Sequence, residues 1–189
     1  MRKSTKIVLY VVLISMVSLY ARTTIALRPV ELPLIVKPKP VKLSLEDELR
    51  LKTHNGFLHV VGHSESSNRY NVVNRLGYMG RYQFSYTTLK ALGYNITRKE
   101  FLNNPDIQEE AMDRLLTENY KSLKKYIDKY DGKVVHGIHI TKSGILAAAH
   151  LGGAGNVSRW FRRGTNFKDG NGTAITTYMK KFSNYDLDI

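Results

Sequence analysis

The 189-residue chain contains no cysteine. A disulfide framework and a cysteine-linked lipid anchor are therefore both excluded, and the folded part of the chain must be stabilised by a packed core. Hydrophobic residues make up 42% of the sequence and charged residues 24%, which is an ordinary balance for a globular protein. The length suits one domain preceded by a targeting segment.

Proline is scarce outside one short segment. The chain has 5 prolines, and all but Pro105 fall between residues 29 and 40, as Pro29, Pro33, Pro38 and Pro40. Proline lacks a backbone N–H and fixes φ, so this segment cannot form a helix and tends to extend. We interpret residues 27–43 as a semi-rigid linker and residues 44–189 as a single folded domain that begins near Ser44.

The residues before this linker have the three parts of a secretory signal. Three cations lie within the first six positions, an apolar run covers residues 7–20, and a small-residue pattern follows at 24–26. Residues 1–26 are therefore predicted to be a signal peptide, with Leu27 as the mature N-terminus. An uncleaved anchor is the alternative, because residues 27–36 stay fairly apolar. Either way the domain is predicted to be exported to the periplasm, the cell envelope or the medium.

Acidic residues are outnumbered by basic ones, 16 to 29, which gives a formal net charge of +13. Four cations precede residue 27, so the mature chain keeps about +9. Outside the membrane, such a charge attracts cell-wall polymers or anionic lipid before nucleic acid. No zinc-ligand spacing, recognition-helix pattern or RNA-binding aromatic motif is present. A nucleic-acid partner is not expected, nor is stable membrane insertion beyond the N-terminal segment; the oligomeric state stays open.

Carboxylates are missing from two long stretches, residues 66–99 and 132–168. Glu65 stands at the edge of the first and is the only acid between Leu49 and Lys99. Surface acids in helical proteins usually lie scattered among lysines, whereas Glu65 precedes a run of polar, glycine and aromatic residues. An exposed charge or a helix cap is the simpler alternative. We interpret Glu65 as a catalytic acid.

Local signals predict a mostly helical domain. Ser44 resembles a helix N-cap, and Asn55-Gly56 is predicted to end that first helix in the left-handed conformation. A second helix, with apolar residues at helical spacing from Phe57, should carry Glu65 at its C-terminal end. A loop is predicted over residues 66–80, and then a helix over 82–92 closed by Gly93.

The second half of the domain begins with the strongest helix signal. Asn104 is a cap with Pro105 at the first helical position, and apolar residues recur to Asp131-Gly132, at Ile107, Ala111, Leu115, Tyr120, Leu123 and Ile127. Residues 134–140 are predicted to be a short strand or an extended loop. Thr141 should cap an alanine-rich helix to residue 151, broken by Gly152-Gly153. Two further short helices are predicted over 157–162 and 175–182.

Four short motifs occur in the order of a known family. Glu65-Ser66, Asn74, Gly77-Tyr78-Met79-Gly80 and Gln83 resemble the Glu-Ser and Gly-Leu-Met-Gln motifs of the soluble lytic transglycosylase domain, with the same spacing from Glu to Gln. Residues 149–157 are similar to that family's Ala-Tyr-Asn-Ala-Gly segment, and Tyr178-Met179 resembles its final Tyr-Val motif. The resemblance covers roughly residues 57–182. It implies a mostly α (α+β) lysozyme-like fold, with one helical domain, a glycan-binding cleft and at most a small β element.

The resemblance also implies roles for single residues. Glu65 would be the general acid that protonates the glycosidic oxygen between N-acetylmuramic acid and N-acetylglucosamine in peptidoglycan. Gln83 and the backbone of Gly80 would line the sugar cleft, and Tyr178 would form a hydrogen bond near the Glu65 carboxyl. The remaining substrate-binding positions would be Ser66, Tyr82, His150 and Gly153.

Two residues depart from the family pattern. His150 stands where the family usually has tyrosine, and Leu151 stands where it has asparagine. The histidine could preserve a hydrogen bond, whereas the leucine removes the amide that the family places against the substrate. His150 could equally be a core histidine, and with an ordinary pKa near 6.5 it would become cationic in acid.

The missing carboxylates bear on the chemistry. Glycoside hydrolysis usually takes two carboxylates. A single acid can still act if the substrate's acetamido group assists and Glu65 then activates the muramic acid 6-hydroxyl, which yields a 1,6-anhydro sugar. Burial against Phe57, Tyr82 or other apolar walls would keep Glu65 protonated. The alternatives are a lysozyme-type hydrolase, with Asp106 or Asp169 as second acid, and a non-catalytic wall-binding module.

Several other features favour structural roles. His136, His139 and His150 have no helical ligand spacing and no cysteine or carboxylate nearby in sequence, so neither a metal nor another cofactor is expected. The sequence from Asp169 to Thr173 lacks the later glutamate of a calcium loop and is interpreted as a surface turn at the cleft rim. Trp160 and Phe161 are predicted to be core residues.

Overall fold

The computed structural model describes residues 51–189. The predicted signal or anchor, the linker and the start of the helix expected from Ser44 fall on residues 1–50 and lie outside this range. In the described part of the chain, no helix is both long enough and apolar enough to cross a membrane.

The described chain is mostly helical, with one small antiparallel sheet. Its elements, in chain order, are α1 His54–Ser66, α2 Tyr86–Ala91, α3 Arg98–Leu102, α4 Pro105–Tyr130, β1 Val134–Val135, β2 Ile138–His139, α5 Lys142–Gly152, α6 Ala154–Arg163 and α7 Ile175–Lys181. The two strands pair Val134 with His139 and Val135 with Ile138. The predicted mostly helical class with at most a small β element is therefore confirmed.

Helix α5 lies at the centre of the helical packing, against α4, α6 and α7. Its small residues allow close approach: Ala147 and Ala148 are fully buried, and a Cβ on Gly144 would lie 2.5 Å from the carbonyl oxygen of Met179 in α7. Thr141 Oγ1 accepts the Gly144 N–H at 3.1 Å, as the sequence predicts for its cap. Trp160 and Phe161 are buried, so their predicted place in the core is confirmed.

Helix α1 corrects the prediction at Asn55-Gly56. The helix begins after Thr53, whose Oγ1 accepts the Gly56 N–H at 3.2 Å, so Asn55 and Gly56 form its first turn and do not end an earlier helix. A Cβ on Gly56 would lie 1.9 Å from the Leu51 carbonyl oxygen. Glycine is needed here because another part of the backbone passes too close for any side chain.

Helix α4 begins and ends as predicted, and Asn104 Oδ1 accepts the Ile107 N–H at 3.2 Å. Its buried face is rotated from the predicted one, because Ile107, Leu115 and Tyr120 are only partly buried. Ala111, Leu123 and Ile127 are buried as predicted, and the other buried positions are Gln108, Met112, Leu116, Asn119 and Tyr126. Two polar side chains, Gln108 and Asn119, therefore lie on the face that packs into the core.

The helix predicted over residues 82–92 starts later than expected. Met79 and Phe84 pair as an antiparallel bridge, and Gln83 has φ 53°, so helix α2 begins only at Tyr86, capped by Ser85. The aromatic residues from Tyr82 onward are spaced as they would be on one face of a helix, and for this reason the predicted helix began too early. Helix α3 was not predicted, although Thr97 and Glu100 form a reciprocal capping box whose Thr-x-x-Glu spacing is visible in the sequence.

Candidate functional site

Glu65 lies at the C-terminal end of α1, where the helix stops because Ser67 adopts the left-handed conformation. Its side chain is 16% exposed and faces a groove in the protein surface. Tyr178, in α7, donates its hydroxyl hydrogen to Glu65 Oε1 over 2.6 Å. The contact that the resemblance implies between these two residues is therefore present, across 113 positions of sequence.

Tyr178 is suited to remain a hydrogen-bond donor. It is 7% exposed, and burial, followed by the negative charge of Glu65, raises the pKa of its hydroxyl well above the ordinary value. Because the hydroxyl occupies Oε1, the other carboxyl oxygen of Glu65 is left for a proton or a ligand. Tyr178 thus orients the carboxyl group.

His150 flanks the same carboxyl group from α5. Its Nε2 lies 3.8 Å from Glu65 Oε1, and its ring meets Phe84 edge-on at 6.2 Å. The predicted ordinary pKa is wrong: burial lowers the pKa of His150, and the opposing effects of Glu65 and the Tyr82 carbonyl are smaller. Nδ1 makes no hydrogen bond of good geometry with any residue in 51–189. Burial therefore favours the neutral form of the ring.

Three adjoining parts make up the groove. The central part contains Glu65, Gln83, His150 and Leu151. The lysine arm shares Glu65 and Gln83 with it and reaches Thr177 and Lys181. The asparagine arm shares Tyr78, Gln83, His150 and Leu151 with it and is further lined by Phe84, Ser85, Thr88, Leu115, Asn119, Ala149 and Gly153. Glu65 therefore lines both the central part and the lysine arm, and the asparagine arm adjoins the central part through the residues that the two share.

Gln83 lines all three parts of the groove, and Gly80 holds it in position. Gln83 Nε2 donates to the Gly80 carbonyl oxygen at 2.8 Å. Gly80 has φ +75°, and a Cβ on it would lie 2.1 Å from Gln108 Oε1. Gly80 itself does not line any of the three parts. Its conformation and the lack of a side chain set the position of Gln83.

Two predicted substrate-binding residues lie behind the groove wall. Ser66 is 6% exposed, and its Oγ donates to the Arg81 carbonyl oxygen at 2.8 Å and accepts the Arg69 N–H at 2.9 Å. Tyr82 is fully buried and donates its hydroxyl hydrogen to Glu109. Neither lines the groove, and neither does Phe57; the aliphatic side chains that share the central part with Glu65 are Leu76 and Leu151.

Two loops approach each other at the central part. Asn74 Oδ1 accepts the N–H groups of Leu76 and Tyr78, which closes a turn. On the facing loop, Asp169 Oδ1 accepts the N–H groups of Asn171 and Thr173 at 3.0 and 2.6 Å. Arg75 Nη2 then donates to Asn171 Oδ1 at 3.3 Å, which joins the two turns at the rim of the groove.

Asp169 and Asp106, the two candidate second acids, differ in position. Asp169 lines the central part together with Glu65. Asp106 is exposed in the first turn of α4 and lines none of the three parts. The surface turn predicted at residues 169–173 does lie at the rim, but its carboxylate shares the groove with Glu65.

Sequence reasoning missed Gln108 and Asn119. Gln108 is fully buried: its Oε1 accepts the Arg81 N–H at 2.8 Å, and its Nε2 donates to the carbonyl oxygens of Phe101 and Tyr70 at 2.8 and 3.0 Å. It therefore holds the loop that carries Gly80. Their spacing in the sequence could have indicated their burial, because each lies four or seven positions from buried apolar residues of the same helix.

Acid should destabilise the protein through His150. A histidine whose pKa is lowered by folding binds fewer protons in the folded state than in the unfolded chain, where its pKa is about 6.5. The free energy of unfolding therefore falls as the pH drops below about 6.5 and is recovered above it. His150→Phe keeps a ring against Phe84 and removes this group, so urea unfolding at about pH 7.5 and about pH 5 should show a smaller acid loss than in wild type.

The exposed His59 of α1 provides the matched control. His59→Phe removes a histidine of the same helix as Glu65 without changing the groove, so its acid loss should equal that of wild type. An equal acid loss in wild type and His150→Phe would contradict the lowered pKa.

No metal centre is apparent. Among residues 51–189, no three histidine, cysteine or carboxylate side chains lie close enough together to hold a metal ion.

Comparisons with family models, with curated proteins and with solved structures find no significant match. None of the three comparisons therefore assigns the chain to a family.

Proposed function

We propose that the protein is a peptidoglycan lytic transglycosylase with a lysozyme-like fold. It cleaves the β-1,4 bond between N-acetylmuramic acid and N-acetylglucosamine, with Glu65 as its only catalytic carboxylate. The observation that carries the proposal is the position of Glu65, which lines the central part of the groove and accepts a hydrogen bond from Tyr178 at Oε1. A glycan strand is a linear polymer, and the adjoining parts of the groove offer room for sugars next to the one that meets the acid.

In the first step Glu65 donates its proton to the glycosidic oxygen, and the bond from that oxygen to the muramic acid C1 breaks. The acetamido oxygen of the same sugar forms a bond to C1 in its place. Tyr178 holds Oε1, so the proton is carried on the other oxygen of Glu65. Burial favours the neutral ring of His150, which places no positive charge beside Glu65.

In the second step Glu65, now ionised, accepts the proton of the muramic acid 6-hydroxyl. The hydroxyl oxygen attacks C1 and displaces the acetamido oxygen, which leaves a 1,6-anhydro ring and restores the proton on Glu65. The hydroxyl belongs to the sugar under attack, so proximity favours it over free water. No second carboxylate takes part in either step.

A lysozyme-type hydrolase is the second candidate, because Asp169 lines the same part of the groove as Glu65. In that reaction Asp169 would act as nucleophile or would activate water. Its Oδ1 already accepts two backbone N–H groups of its own turn, which indicates a structural role and favours the lytic route.

The products of digestion test the proposal. Purified peptidoglycan treated with the protein should yield muropeptides that end in 1,6-anhydro-muramic acid, lighter by one water than hydrolytic products and lacking a reducing end. Mass spectrometry before and after borohydride reduction distinguishes the two. Asp169→Asn keeps an oxygen that accepts both turn N–H groups, so the variant should retain activity within a few-fold. Reducible ends, together with loss of activity in Asp169→Asn, would establish the hydrolase.

The wider setting belongs to the same proposal. The predicted signal or anchor places the domain outside the cytoplasmic membrane, where peptidoglycan strands are its partner. The excess of positive charge suits that environment, because cell-wall polymers are anionic. No cofactor enters either step.

A further inference from the structure

A surface away from the groove carries exposed cations that have no acidic partner. It is formed where the C-terminal part of α4, the hairpin of β1 and β2 and the end of α6 meet. Five exposed side chains there form no ion pair with a carboxylate of residues 51–189, and none of them lines any of the three parts of the groove. We call them the basic cluster, and its members are Lys125, Lys129, Lys133, Arg162 and Arg163.

Aromatic contacts hold the three elements together beneath these cations. The Phe161 ring of α6 stacks on the Tyr126 and Tyr130 rings of α4, with centroid distances of 4.7 and 5.3 Å. The ring of His136, in the turn of the hairpin, meets the ring of Trp160 edge-on at 5.1 Å. These contacts join α4, α6 and the hairpin into one surface.

The cations lie on or next to these aromatic contacts. The ammonium groups of Lys125 and Lys129 each lie 5.0 Å from the ring centre of the tyrosine that follows them. Lys133 Nζ donates to the Lys129 carbonyl oxygen at 2.8 Å. Arg162 and Arg163 directly follow the stacked phenylalanine of α6. The five cations therefore lie on adjoining parts of the same surface.

Few negative charges offset the basic cluster. Residues 132–168 contain no acid. Near the end of α4, both carboxylate oxygens of Asp128 accept hydrogen bonds from Lys124, and Asp131 Oδ1 accepts the Lys142 N–H. An uncompensated positive surface of this kind attracts anions from solution or from an anionic surface.

The hairpin adds an apolar side chain beside the cations. Val134 directly follows Lys133 and is 69% exposed, the highest value among the exposed large hydrophobic side chains of residues 51–189. A soluble polyanion gains little from an exposed valine. A lipid surface can take up this hydrocarbon at the boundary between headgroups and acyl chains while the cations meet the headgroups. The combination therefore favours lipid over a soluble polymer.

We propose that the basic cluster and Val134 form a docking surface for an anionic lipid membrane. The cations pair with headgroup phosphates, and the domain stays peripheral to the bilayer. The predicted signal or anchor brings the chain to a membrane, and this surface keeps the domain there after a signal peptide has been removed. The inference does not depend on the proposed function, because the basic cluster lies outside the groove.

Vesicles with and without anionic lipid test the proposal. The protein used is the predicted mature chain from Leu27, which retains the domain of residues 44–189 with its buried core and lacks the apolar N-terminal run that would itself enter lipid. It should sediment with vesicles of phosphatidylglycerol and phosphatidylcholine but not with vesicles of phosphatidylcholine alone. Added salt should weaken the binding, because it screens the attraction between the cations and the headgroups.

Two sets of substitutions separate charge from hydrocarbon. Arg162→Gln combined with Arg163→Gln should weaken vesicle binding by about tenfold or more, because two cations are removed from the lipid surface. Val134→Ser leaves the charge unchanged and should weaken vesicle binding by a few-fold. Both sets alter exposed side chains, so the melting temperature should change little.

Arg98→Gln combined with Lys99→Gln is the matched control. It removes the same charge from an adjacent exposed pair in α3, which precedes the N-terminal end of α4, whereas the basic cluster lies at the other end of that helix. The control should bind vesicles as the unmodified chain does. Equal losses in the two double variants would show that net charge alone drives binding and would overturn the docking surface.

Soluble polyphosphate is the second probe, because a phosphate polymer would use the same cations. The unmodified chain should bind vesicles with anionic lipid in preference to polyphosphate, and Val134→Ser should affect only the vesicles. Tighter binding to polyphosphate through the same two arginines, together with vesicle binding that Val134→Ser does not change, would assign the surface to a phosphate polymer and overturn the lipid partner.

Discussion

Glu65→Gln should reduce turnover of peptidoglycan by on the order of a hundredfold or more, the usual cost of removing a general acid. The amide keeps the shape of the side chain, and its oxygen can still accept a hydrogen bond from the Tyr178 hydroxyl. In the wild-type protein this bond joins Tyr178 to Glu65 Oε1 over 2.6 Å. It has no proton of suitable acidity to donate to the glycosidic oxygen. Glycan binding and the free energy of unfolding should therefore change little. Release of soluble muropeptides from purified cell walls measures the loss.

The control for this substitution is Glu118→Gln. Glu118 is an exposed glutamate of α4 that pairs with Lys121 and lies outside the groove. The same change of charge there should leave activity at the wild-type level. Near wild-type turnover in Glu65→Gln would show that Glu65 is not the general acid. Asp169 would then be the first alternative among the acids of the groove. A fully active Glu118→Gln beside an inactive Glu65→Gln excludes a general effect of charge.

Gln108→Leu should lower the free energy of unfolding by at least about 3 kcal/mol. The side chain is fully buried and satisfies three backbone groups, the N–H of Arg81 and the carbonyls of Phe101 and Tyr70. Leucine leaves all three without partners in a place that water cannot readily reach. Urea unfolding measures the loss, and activity should fall with it because the loop with Gly80 and Gln83 loses its support.

Gln108→Glu separates the contributions of these bonds. An ionised glutamate can still accept the Arg81 N–H but cannot donate to either carbonyl oxygen. Its loss of stability should therefore be dominated by the two carbonyl contacts and by burial of a charge. Stability equal to wild type in both variants would mean that Gln108 does not hold the loop.

Much of the helical structure could be predicted because its signals are local. Asn104-Pro105 and Thr141 act on N–H groups within three residues of themselves, and both helices begin where these residues predict. The end of α1 beside Glu65 is also set locally, by the left-handed conformation of Ser67. Thr97 and Glu100 carried an equally local signal for α3, which could have been predicted from the same reasoning.

The errors have a common physical cause. Asn55-Gly56 has the composition of a helix end, but Gly56 is needed because the Leu51 carbonyl approaches it. The aromatic spacing after Tyr82 suggested a helix, but pairing of Met79 with Phe84 holds that segment extended. In each case a backbone contact between residues five positions apart overrode the preference that the composition suggested. His150 belongs with them, since its lowered pKa results from burial and not from its neighbours in sequence.

The sequence by itself determined the mostly helical class, the isolation of Glu65 among non-acidic residues, and the motifs that single out Gln83 and Tyr178. These depend on composition and on residues a few positions apart. Only the tertiary structure decided that Tyr178 bonds to Glu65, that Asp169 shares its groove, and that Ser66 and Tyr82 lie behind the groove wall. Such contacts join residues up to 113 positions apart, and they form only when the packing of several helices brings them together.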